Sequence, residues 1–131
     1  MKLCIQYWFL FYVWKKFYKL FFLSGPIECS FSESAVAQQC FGAEGQPLIF
    51  HLSNKQNVEI KLLKDGKHKI FKKDKNVTVN PEYVSQFKFY NGTLNLGNAM
   101  KKHTGDYKME EFGPDGKNLK TVNVHLQIHG K

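Results

Sequence analysis

From Ser34 onward, apolar and polar residues alternate in short runs, and Gly, Asn, Asp or Pro breaks them about every eight to twelve residues. A period of two puts successive side chains on opposite faces of an extended chain, so these runs predict half-buried strands. Leu48, Phe50 and Leu52 form one inward set, and Val58, Ile60 and Leu62 a second. Phe87 and Phe89, then Leu94 and Leu96, alternate on either side of Asn91-Gly92. The last run is the most regular: Val122, Val124, Leu126 and Ile128 point one way, and Thr121, Asn123, His125 and Gln127 the other. Asn91-Gly92, Asp115-Gly116 and Asp65-Gly66 supply the positive φ that tight hairpin turns need. The pattern predicts an all-β sandwich or barrel with one core face and one wet face per strand. It contains no internal repeat, low-complexity tract, linker or long helical stretch.

The beginning of the chain breaks this pattern. Lys2 precedes an apolar run from Leu3 to Trp14, followed by Lys15, Lys16 and Lys19 and then Leu20 to Leu23. The run is too short to span a bilayer as a helix, and lysines interrupt any longer one. A secretory signal peptide is the expected reading, with residues 1–37 as the leader and 38–131 as the domain. Ala35 and Ala37 give an Ala-x-Ala cleavage pattern before Gln38, farther from the apolar run than usual. The competing readings are an aromatic-rich amphipathic helix on a membrane or on the domain, and an upstream translation artefact.

Composition sharpens the division. Of 131 residues, 19 are basic, all of them lysine, and 11 are acidic, for a formal charge of +8. A chain of this length has room for one core of ordinary domain size, which excludes a large multidomain enzyme. Residues 32–131 alone are an ordinary, moderately basic globular composition. Such a domain can bury enough surface to fold without disulfides. Cys40 reads first as a small buried hydrophobe, and a bridge to Cys29 stays open if Cys29 survives processing. Neither cysteine has a CxxC partner or a histidine at zinc-ligand spacing.

Catalytic chemistry finds little support. His125 and His129 have the spacing of a helical metal pair, but on a strand they stand roughly 13 Å apart. There is no phosphate-cradling Gly loop and no Ser, His and acid arrangement to single out, so an enzyme is not expected and no cofactor, metal or small-molecule substrate is called for. The run KHKIFKKDK suggests a polyanion binder for heparan sulfate or nucleic acid. Base readout and bidentate phosphate contacts favour arginine, which is absent, so nucleic acid is not the expected partner. Asn76-Val77-Thr78 and Asn91-Gly92-Thr93 are N-glycosylation sequons, as a glycoprotein of the cell surface or extracellular space would carry.

A more specific signal lies at His103-Thr104-Gly105-Asp106-Tyr107-Lys108-Met109, which resembles the immunoglobulin sequence Asp-x-Gly-x-Tyr-x-Cys at the entrance to strand F. The resemblance makes Tyr107 the tyrosine-corner residue. Met109 stands where the second disulfide cysteine should be, Gln46 to Leu52 on strand B has no cysteine, and Leu62 replaces the strand C tryptophan. The expectation is a V-set β-sandwich lacking the usual inter-sheet disulfide, its centre filled by Leu62, Met109 and Phe50. His103 also replaces the Asp that often pairs with a strand D arginine. Such a disulfide-free domain is similar to the N-terminal domains of the SLAM and CD-two type leukocyte adhesion receptors. Residues Tyr107 to Ile128 resemble their strand F, FG turn and strand G without a gap. Asn91-Gly92-Thr93-Leu94 matches their D–E hairpin, and Gln38 to Leu52 resembles the opening of the domain in a ligand member of that group.

What the resemblance implies is an immune adhesion module whose GFCC′ sheet face meets an immunoglobulin-superfamily receptor on an opposing leukocyte, homophilically or heterophilically. Strand parity puts Lys61 and Leu63 of strand C on that face, with Lys108, Glu110 and Phe112 of strand F and Thr121, Asn123 and His125 of strand G. On strand C′, spanning Lys67 to Lys73, the parity is ambiguous, and Lys69, Phe71 and Lys73 are the candidates. Asn91 is expected on the other sheet and Asn76 near the C′ to C″ edge. With nothing readable after strand G, the chain is expected to be a fragment of a membrane-anchored receptor or a soluble decoy form.

Overall fold

The computed structural model describes residues 25–31 and 38–130. Most of the apolar leader segment and the Ala35/Ala37 cleavage pattern lie outside the described residues. Ten strands form two sheets: β1 (Ile27–Ser30), β2 (Gln38–Ala43), β3 (Pro47–His51), β4 (Glu59–Lys64), β5 (His68–Lys73), β6 (Val77–Val79), β7 (Lys88–Tyr90), β8 (Thr93–Asn98), β9 (Gly105–Phe112) and β10 (Asn118–His129). One sheet has the order β1-β3-β8-β7 and the other β2-β10-β9-β4-β5-β6. A 3-10 turn, Lys101–His103, separates β8 from β9.

The inward sets predicted by alternation make the core. Leu48, Phe50, Leu94 and Leu96 from the first sheet are buried against Ile60, Leu62, Tyr107, Met109, Val122, Val124, Leu126 and Ile128 from the second. Leu62 is the register partner of Met109, and both are fully buried with Phe50. The apolar cluster therefore occupies the place of the missing central disulfide. Phe50 also meets the Tyr107 ring at 5.1 Å, edge to face, while the Tyr107 hydroxyl donates to the His103 carbonyl. That bond is the expected tyrosine corner. Asn91 and Gly92 (φ 54 and 84) build a two-residue hairpin between Tyr90 and Thr93, and Asp65 and Gly66 (φ 54 and 72) turn the three-residue connection between Lys64 and His68. At Asp115-Gly116 only Gly116 takes positive φ.

Three features go beyond the sequence reading. First, a strand lies within the span read as a leader: β1 runs parallel to β3, with Ile27, Cys29 and Phe31 buried. Phe31 packs on Phe50 at 5.2 Å, and the Gln46 side chain donates to the Gly25 carbonyl. Gly42 leaves the space that Ile27 occupies, because a Cβ there would collide with its side chain. Second, Cys40 is not a lone hydrophobe; it is bonded to Cys29, joining edge strands β1 and β2 rather than the central β3 and β9. Closing a loop this short removes denatured-state freedom worth about 2 to 3 kcal/mol. Third, Phe87 is 47% exposed and precedes β7, so only Phe89 of that pair packs on the core, against Phe71.

Candidate partner-binding face

Antiparallel register aligns β10, β9, β4 and β5 so that their outward side chains form rows. Thr121, Glu110, Lys61 and Lys72 make one row, and Asn123, Lys108, Leu63 and Lys69 the next. Phe112 sits opposite Glu59 and Asn118 at the end of the face. The Lys61 ammonium lies 5.3 Å from the centre of the Phe112 ring, within cation–π range. At the other end, His125 Nδ1 meets Asp106 Oδ1 at 2.7 Å. Lys61, Leu63, Lys108, Glu110, Phe112, Thr121, Asn123 and His125 therefore share one sheet face, as strand parity predicts, and Lys69 of the ambiguous strand joins them.

Strand β5 does not follow simple parity. Leu62 pairs with Phe71 and Leu63 with Lys69, which leaves Ile70 as an extra residue. This bulge turns both Ile70 and Phe71 inward, fully buried, and resets the alternation. Phe71 is thus core, and Lys73, opposite inward-facing Ile60, starts from the core side. Lys72, which alternation alone does not select, joins the face opposite Lys61 and lies 3.7 Å from Glu59 and 3.6 Å from Asp74. Among the described residues the side chains of Lys69, Lys108 and Glu110 make no ion pair or hydrogen bond. Glu110 is a central carboxylate in a lysine-rich field.

Behind the face, one carboxylate is buried. Glu111 alternates inward with Tyr107 and Met109 and is fully buried; its Oε1 lies 3.4 Å from Lys55 Nζ and its Oε2 has no hydrogen-bond partner. Below the face, Lys64 is buried with its ammonium 2.7 Å from Asp65 Oδ2 and 5.6 Å from the Tyr83 ring. Hydrogen bonds from Lys64 and then from the Asp106 backbone hold the Asp65 carboxyl below its ordinary range. His103 is buried beside them, its Nδ1 accepting the Met100 N–H at 2.9 Å. Its Nε2 consequently carries the proton and donates to the Tyr83 carbonyl at 2.7 Å. Burial pushes His103 down from its ordinary value and pushes the Tyr107 hydroxyl up. In this domain a neutral histidine takes the position expected for the Asp of the motif.

The sequons are both on exposed turns. Asn91 is at the β7–β8 hairpin in the four-stranded sheet, and Asn76 precedes the edge strand β6.

Solved structures share this fold. The first immunoglobulin-like domain of human CD48 antigen is similar with a TM-score of 0.61, at 14% identity over 76% of this chain and 91% of that one. This chain is an immunoglobulin V-type sandwich. Its strands β2 to β10 take the places of A′, B, C, C′, C″, D, E, F and G, with C′ and C″ added to the GFC sheet. CD84, of the SLAM family, is similar at a TM-score of 0.56, with 18% identity over 73% of this chain and 100% of that one. The first immunoglobulin domain of Dpr1, bound to that of DIP-eta, is similar at 0.54, with 10% identity over 74% and 93%. No protein-family model and no curated protein matches the sequence. At these identities the likeness carries the V-type fold alone.

Proposed function

We propose that this domain is an extracellular adhesion module, at the cell surface or secreted, that binds a related immunoglobulin domain on an opposing leukocyte through the β10-β9-β4-β5 face. The observation that carries the reading is the grouping of Glu110 and Phe112 with Lys61, Lys69, Lys72 and Lys108 on one regular sheet surface. Lysines clustered on a sheet face steer an acidic surface into register, and a single carboxylate among them selects a partner with a cation opposite. A second copy of this chain would set lysine against lysine, so the partner is a different receptor. Phe112, half-buried and backed by Lys61, supplies the apolar anchor that charge pairs alone lack. The neighbouring Dpr1 domain, bound to another immunoglobulin domain, supports recognition of this type.

The test is staining of leukocytes with the secreted chain presented multivalently, because single-domain affinity of this kind is weak. Glu110→Lys and Phe112→Ala are each expected to reduce staining by at least about tenfold, with staining confined to some cell types. Uniform staining that ignores both variants and disappears after heparinase treatment would instead assign the lysines to a polyanion and overturn the adhesion reading.

A further inference from the structure

The six-stranded sheet ends in an edge without the usual guards. β2 is the longest of the four edge strands, and its six residues include no charged side chain and no proline, the common devices against edge pairing. β1 and β7 carry Glu28 and Lys88, and β6 is three residues long. The Glu44 N–H donates to the His129 carbonyl at 2.9 Å. Backbone groups alternate sides along a strand, so Gly42, Cys40 and Gln38 turn theirs to β10, and Ala43, Phe41 and Gln39 turn theirs to the edge. The Ala43 N–H is satisfied by the Gln46 side-chain oxygen at 2.7 Å. The edge-facing groups of Gln39 and Phe41 have no backbone partner among the described residues. β1 lies under the inward side of β2, its Cys29 bonded to Cys40 and its Ile27 in the space left by Gly42. The Phe41 side chain points the other way, beside Gln127 on the outward face. It is 61% exposed, more than any other large apolar side chain of this sheet among the described residues.

We propose that β2 pairs antiparallel with β2 of a second copy of this chain, joining the two six-stranded sheets edge to edge. The edge is complementary to itself. In the register centred on Cys40, Gln39 of each copy stands opposite Phe41 of the other, and these pairs exchange N–H and C=O on both sides, using every free edge-facing group. The two Phe41 side chains then lie diagonally about 7 to 8 Å apart, within reach of each other. Charge favours a copy at this edge and no other place on the sheet. β2 and the outward positions Thr121, Asn123, His125 and Gln127 of β10 carry no lysine, and the first outward lysine, Lys108 on β9, is two strands in. Across the dyad the two Lys108 rows stand about 24 Å apart, well past the screening length, whereas face-to-face contact sets lysine on lysine. The dyad is perpendicular to the sheet, so both lysine-rich faces look the same way and remain free for bivalent engagement. So short a strand buries less than a standard interface, which makes the dimer weak and dependent on concentration.

The test is sedimentation of the secreted chain up to about 1 mM, a range in which even millimolar association shows, with hydrogen exchange read at the Gln39 and Phe41 amides. A dimer is expected, with both amides more protected as concentration rises. Gln39→Pro removes an edge-facing donor without touching the ladder to β10, and Phe41→Lys, at a solvent-facing position, sets like charges beside the dyad. Each is expected to weaken the dimer by at least about tenfold. Phe112→Ala, on the lysine-rich face, is expected to leave it unchanged. A dimer lost in Phe112→Ala, or one that ignores both edge variants, overturns the pairing. So does a chain that stays monomeric: protected amides would then mean that its own leader segment covers the edge, and unprotected ones that the edge is open to a strand of a different protein. None of these readouts involves leukocytes, so the outcome is separate from that of the adhesion reading.

Discussion

His103 is buried, and protonating it would put a hydrogen on the Nδ1 that already accepts the Met100 N–H, with the ammonium groups of Lys102 and Lys64 nearby. The folded state therefore binds this proton less readily than the unfolded chain, whose histidine keeps its ordinary value near 6.5. With the folded value depressed, the contribution to stability is complete above about pH 6.5 and is lost as pH falls below it, by at most about 1.4 kcal/mol per unit. Urea midpoints measured between pH 7 and 5 are expected to fall with acid, and His103→Gln is expected to flatten the slope in that window. The Asp65 carboxyl, held below its ordinary range, acts only below about pH 4 and leaves the window clear. Neither behaviour is visible in the sequence, where His103 reads only as a departure from a motif. Glu111 shows the same difficulty. Alternation with Tyr107 and Met109 turns it inward, but charge argues for solvent, and Lys55, which faces it, comes from a distant loop.

At the scale of the element, β5 decides which lysines belong to the face. One extra residue at Ile70 moves the outward set from an every-second-residue pattern to Lys69 and Lys72. Lys72→Glu is expected to weaken leukocyte staining, and Lys73→Glu, on the core side of the same strand, to leave it unchanged. The opposite ranking would mean that the strand binds without its bulge, or that the face lies elsewhere. A bulge is set by what both neighbouring strands can accept. The run His68-Lys69-Ile70-Phe71-Lys72-Lys73 offers two adjacent apolar residues, and only packing against Leu62 and Phe89 decides that both go inward. By contrast, β10 alternates without interruption from Thr121 to Ile128, and its two faces are legible from sequence. β1 is legible in neither respect. Its four residues are too few for a period, and its burial depends on Gly42, Gln46 and Cys40, which become its neighbours only when the edges of the two sheets meet.

At the scale of the molecule, Lys61, Lys69, Lys72 and Lys108 share the outward face of the six-stranded sheet, and the exposed hairpin of Asn91 belongs to the other sheet. An association steered by such a face responds to ionic strength chiefly through its on-rate. Raising salt from about 0.05 to 0.5 M shortens the screening length severalfold. The association rate of the chain with its receptor is expected to fall by about tenfold, with a smaller change in dissociation. A dissociation rate that carries the whole effect would assign the affinity to contacts other than the lysine field. The resemblance to the immunoglobulin motif supplied the tyrosine corner, and the sequence by itself determined the β class, the hairpin turns, the outward face of β9 and the two faces of β10. These follow from local rules, the period of two and the residues that tolerate positive φ, which act within a few positions along the chain. The tertiary structure alone decided the β1 strand, the Cys29–Cys40 bond, the bulge in β5 and the burial of Glu111 and His103. Each depends on which distant surface arrives to cover a segment, and that is settled by packing between sheets rather than by any pattern within one strand.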